Sequence, residues 1–240
     1  MNRLTRIVRW AVVGLLAFTA AGQAGPISEF ESSMRAAYAD YRAALFETNR
    51  KDKAATEAAM SSFDAKWRDL SARWANNPPP HFSEDAGWRR SLDNVARIVR
   101  EARSQATAGE LARAHDTLEA IRDEIGTLRA RNGLITFSDR MNVYHEKMEQ
   151  ALQRTAKTID AAVMNELRDD AAVLSFLVVT LREHRPPELG SDAAFEETLK
   201  AVEDSVKGLG AASRAGDVAA TKAALQKLKP AYSRLFLRYG

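Results

Sequence analysis

Three side chains in the second half of this chain have the types and spacing to bind a soft metal ion. Met141, His145 and Met148 stand at i, i+4 and i+7 of a stretch with helical periodicity, so on a helix they stack along one face. Two thioethers and an imidazole suit Cu(I) first and iron second. Phe137 and Leu152 continue the stripe, which makes it the core-facing one, and methionine also serves as a core filler. The plainer reading is therefore packing, and a metal would need a further donor from a facing helix.

These residues stand out because the chain supplies its own comparison. Shifted by 107 positions it overlays itself without a gap: Phe30 falls on Phe137, Met34 on Met141, Leu45 on Leu152, Leu70 on Leu177, and Pro79-Pro80 on Pro186-Pro187. The match runs on through Leu92 and Leu199, Gly109 and Gly216, Leu128 and Leu235, to Gly133 and Gly240. Residues 27–133 and 134–240 read as two copies of one unit, and a chemical difference between the copies marks where a special function would sit. His145 is such a difference, since its counterpart is Tyr38; Met148 replaces Tyr41, whereas Met141 has a plain equivalent in Met34.

The other three histidines carry weaker signals. His81 and His184 flank the proline-rich stretches without being equivalent under the shift, and His115 borders an apolar stripe where the other copy has Lys222, the pattern of a polar side chain at a helix edge. Catalysis has little to build on: there is no cysteine, no Gly-x-Ser-x-Gly elbow, no phosphate loop and no His-Glu-x-x-His pair. The expectation is a protein that is not an enzyme.

Each copy has the elements needed to position such residues. Met60, Phe63, Trp67, Leu70 and Trp74 recur at helical spacing, as do Phe30, Met34, Tyr38, Tyr41 and Leu45. Leu92, Val95 and Val99 begin a third stripe, and Leu118, Ile121, Ile125 and Leu128 form a fourth, with breaks at residues 49–52, 76–80 and 108–110. Four helices with short connections predict an antiparallel bundle, and the doubling predicts an all-α chain of two tandem four-helix bundles. Val173 to Leu181 alone resembles a buried strand, but it overlays the helix around Lys66 to Trp74 and is read as helix. Its apolar residues cover every face, so cover from the other repeat or a second subunit is expected; Val173, Phe176, Val178 and Val179 are the candidate interaction residues.

Residues 1–24 carry Arg3, Arg6 and Arg9, then an apolar run from Trp10 to Ala21 and small residues at Gly22 and Ala24. This reads as a secretory signal peptide cleaved after Ala24; the run is short of the roughly 20 residues of a membrane span. The expectation is a periplasmic or secreted protein with no transmembrane anchor after cleavage. Without the leader, 32 of the 35 basic side chains remain against 32 acidic ones. A neutral surface lacks the footprint of a nucleic-acid binder, and the absence of cysteine leaves packed apolar area as the source of stability.

The leader, the four-helix unit, the Gly216-Asp217 turn and the closing Lys227-Leu228-Lys229-Pro230-Ala231-Tyr232 resemble exported four-helix haem proteins of the cytochrome c-prime type. The resemblance implies haem attached near the end of the last helix through Cys-x-x-Cys-His, and residues 231–239 hold neither cysteine nor histidine, so covalent haem is excluded. Nor do Met34 and His115 form a ligand pair. They open the first and fourth helices, and antiparallel packing separates those ends by about 24 Å. The expected protein is a haemless relative, a binding or accessory module for a transition metal or a scaffold for another periplasmic protein or for its own self-association.

Overall fold

The computed structural model describes residues 25–156 and 158–240; the leader assigned to residues 1–24 lies outside them. The described residues are all-helical, with α1 (Pro26–Arg50), α2 (Lys53–Trp74), α3 (Trp88–Thr107), α4 (Leu111–Arg131), α5 (Phe137–Gln153), α6 (Ala161–Glu183), α7 (Ala193–Ala215) and α8 (Val218–Tyr239). Five of the eight described α-helices start at a short acceptor that satisfies free N–H groups of the first turn. The carboxylates of Asp52, Asp160 and Asp217 accept from Ala55 N, Val163 N and Ala220 N at 3.0, 2.9 and 2.9 Å. At α5 the cap is Thr136, with Asp139 closing a capping box.

In the first half each helix packs on the next and α4 returns to α1; α5 to α8 repeat this order, with α8 returning to α5. The halves meet chiefly where α1 lies against α8. Gly109 and Gly216, equivalent under the shift, both turn the chain at positive φ, 84° and 69°, a conformation that costs a residue with a Cβ. Pro80 and Pro187 both open single 3-10 turns.

The cores correspond in placement and differ in filling. Phe30 packs on Trp88 with ring centroids 5.5 Å apart, and Phe137 on Phe195 at 5.8 Å, which is the same pair moved by 107 positions. Around Phe30 the first half adds Trp74 and Phe82, whereas the corresponding positions hold Leu181 and Leu189. At the position of Phe63 stands Asp170, 2% exposed and paired with Lys147 at 2.7 Å and with Arg154.

Residues 173–181 are helical, within α6. Leu174, Val178 and Leu181 lie at i, i+4 and i+7, and all three are buried in their own half. Each contributes about 1.5–3 kcal/mol. Among the described residues the main neighbours of α6 are α5 and α7 rather than the other half, and Val173, Phe176 and Val179 are 43%, 68% and 47% exposed. Val178 is a core residue, because the 3.6-residue period carries it inward with Leu174. That corrects its assignment to an interaction surface.

A candidate ligand cavity between the halves

The face of α1 that ends the helix presents Arg42, Leu45, Phe46 and Asn49 toward α8, at i, i+3, i+4 and i+7. The facing side of α8 presents Lys229, Tyr232, Ser233 and Phe236 at the same spacing. Between them lies a cavity of about 490 Å³, closed laterally by His115, Glu119 and Arg122 of α4 and by His145 of α5. That volume lies within the roughly 300–1,000 Å³ of small-molecule sites. Its walls are mostly apolar, formed by Leu45, Phe46, Tyr232, Phe236 and Leu237.

His115 of the first half and His145 of the second meet here around Glu119, whose Oε1 is 3.7 Å from His115 Nε2 and 3.9 Å from His145 Nε2. The hydrogen bonds fix the state of His115. Thr48 Oγ1 donates to Leu45 O at 2.8 Å and has no second proton, so in its 2.7 Å contact with His115 Nδ1 the imidazole is the donor. Nε2 is then the lone-pair nitrogen, facing Asn49 Nδ2 at 3.4 Å. Burial keeps this ring neutral by lowering its pKa, against the pull of Glu119.

His145 is held neutral more firmly. Burial, joined by the positive charges of Arg122 and Lys229, lowers its pKa to about 3. Its ring lies 5.2 Å from that of Tyr232. Its Nε2 is 3.5 Å from Glu149, but Glu149 is taken up by Lys229 at 3.1 Å, as Glu119 is by Arg122 at 3.2 Å. Neither carboxylate hydrogen-bonds an imidazole in this arrangement, the nearest approach being 3.5 Å.

The Met141–His145–Met148 stripe is divided by the structure. Both methionines are 0% exposed in the core of the second half, and His145 alone of the three reaches the cavity. Among the described residues no three His, Cys, Asp or Glu side chains are grouped to hold a metal ion. His115, expected at a helix edge, instead forms a cavity wall opposite Thr48, near the C-terminal end of α1 and far along that helix from Met34. His184 ends α6, with Nδ1 3.0 Å from Thr180 O, and His81 packs against Phe82 with ring centroids 4.3 Å apart and planes tilted by 51°; neither lines this cavity.

Sequence reasoning missed His115, Glu119 and Arg122 because it compared the halves without docking them. A signal was present: Arg122 and Lys229 are equivalent under the shift, and both reach the cavity. No protein family, curated protein or solved structure matches this chain. Among the described residues no helix is long and apolar enough to cross a membrane.

Proposed function

We propose that the chain is an exported, non-enzymatic binding protein made of two tandem antiparallel four-helix bundles, and that its ligand occupies the cavity between them. The duplication is supported by the matching helix order and by the paired Phe30–Trp88 and Phe137–Phe195 contacts; export is supported by the arginine-led apolar leader. The observation that carries the binding reading is the cavity itself, to which α1 and α4 of one bundle and α5 and α8 of the other all contribute.

The electrostatics favour a ligand other than a transition metal. Glu119 and Glu149 are already paired with Arg122 and Lys229, so a metal cation at His145 would have to compete with these two cations for its carboxylate ligands. The test is uptake of N-phenyl-1-naphthylamine, an uncharged apolar fluorescent probe, by the chain without residues 1–24. One-to-one uptake that is lost when Leu237→Trp fills the cavity is expected. Uptake that Leu237→Trp leaves unchanged, or no uptake, contradicts the reading.

A second reading is favoured by Val173, Phe176 and Val179, which form an exposed apolar patch on α6. It is a protein-interaction scaffold, with the patch as the contact surface for a partner or a second copy. It predicts concentration-dependent association weakened by Phe176→Lys.

A further inference from the structure

We infer that the cavity between the halves takes an amphipathic anion, an apolar chain or ring system carrying one carboxylate or phosphate head, with Arg122 as the residue that receives the head. This deepens the binding reading above and rests on it.

The charge of the lining carries the argument. Arg42, Arg50, Arg122, Lys229 and Arg234 border the cavity against a single carboxylate, Glu119, while the walls between them are apolar. An uncharged apolar ligand gains nothing from such a rim, and a cationic one is repelled by it. An anion with an apolar body is complementary to both parts, and the low dielectric of an apolar pocket strengthens the attraction.

The cations are not equivalent. Arg42 is spent on backbone, donating from Nε to Leu237 O at 3.1 Å and from Nη1 to Gly240 O. Lys229 is paired with Glu149, and Arg50 is 61% exposed beside Glu47, where water screens it. Arg122 is the cation withdrawn from water: its side chain is 10% exposed, and its ion partners are Glu119 at 3.2 Å and the distant Asp123 at 3.9 Å. A guanidinium carries five N–H donors in a planar fork that matches a carboxylate or phosphate, so one carboxylate partner leaves donors to spare. Tyr232, which lines the same cavity, has a buried hydroxyl with no hydrogen-bond partner. Arg234 stands exposed on the rim, with no ion-pair partner among the described residues.

The head group is either a free carboxylate, as in a fatty or aromatic acid, or the phosphate of a single-chain lipid. The experiment is displacement of uncharged N-phenyl-1-naphthylamine from the chain lacking residues 1–24 by decanoate, decyl phosphate and decanol, each below its aggregation threshold. At least one anion is expected to bind tenfold or more tighter than decanol, and Arg122→Gln to abolish that advantage while leaving decanol's affinity unchanged; the tighter anion identifies the head. Decanol binding as tightly as both anions, or an advantage that survives Arg122→Gln, overturns the inference and leaves the cavity reading standing. Failure of all three compounds and of the probe to bind overturns both. Should Arg122→Gln not fold, salt decides: affinity for the anion that falls with rising salt supports the inference, and insensitivity to salt overturns it.

Discussion

Glu119 of α4 and His145 of α5 face each other across the junction of the two halves at 3.9 Å, yet they are not an ion pair at neutral pH. Burial, with Arg122 and Lys229 alongside, keeps the imidazole uncharged down to a pKa of about 3. The junction therefore carries a neutral ring in a cationic setting, and its pH response follows from that.

The folded chain binds the His145 proton more weakly than the unfolded chain, in which histidine titrates near 6.5. Between these two values the unfolded state holds more protons, so stability is full above the unfolded pKa and falls as the pH drops below it. At about pH 5 the loss attributable to His145 is roughly 2 kcal/mol relative to pH 7. His115, lowered in the same direction, adds to it. Urea unfolding at both pH values checks this: His145→Tyr, which installs the counterpart Tyr38, is expected to flatten the difference. An unchanged difference contradicts the assignment.

Asp170 provides a second departure from the repeat. It is 2% exposed and bound by Lys147 and Arg154, whose hydrogen bonds outweigh burial and lower its pKa. Asp170→Ala should cost about 2–3 kcal/mol, less than the roughly 3–5 kcal/mol of a fully buried broken pair, because Lys147 and Arg154 still reach solvent. The contribution is present above the ordinary aspartate pKa and disappears as the pH falls through the lowered folded value. Denaturant midpoints of wild type and variant, compared at neutral pH and in acid, measure both effects.

For the metal reading, the burial of Met141 and Met148 has a direct consequence. In an anaerobic Cu(I) titration against a competing chelator, Met148→Leu should leave any uptake unchanged, and His145→Leu should remove whatever the cavity holds. A tight site lost in Met148→Leu would restore the Met141–His145–Met148 stripe as a ligand set.

The patch on α6 predicts opposite results from two neighbouring substitutions. Phe176→Lys, at an exposed position, should change stability by no more than about 0.5 kcal/mol. Val178→Lys should unfold the second half, since it puts an unpaired charge in the core. Thermal melts of the two variants separate them, and equal melting temperatures contradict the assigned helix face.

Periodicity made the helices legible because the stripes Phe30 to Leu45 and Met60 to Trp74 are long, and the overlay settled residues 173–181 where β-branched composition pointed to a strand. It also located His145 as the place where the halves differ. The partner of His145 was not legible: no periodic signal within one helix tells which face of α4 meets α5, so His115 was read as an edge residue and Glu119 was not distinguished from other surface acids. The same gap placed Val178 on a surface, because an all-apolar helix has no polar face to give its orientation.

The most direct test follows the four histidine rings by NMR while decanoate or decyl phosphate is added. If the ligand lies between the halves, the ring signals of His115 and His145 move together along one saturating curve, and those of His81 and His184 stay still. Movement at His81 or His184 alone, or saturation with no response at His115 and His145, would contradict a site at the junction.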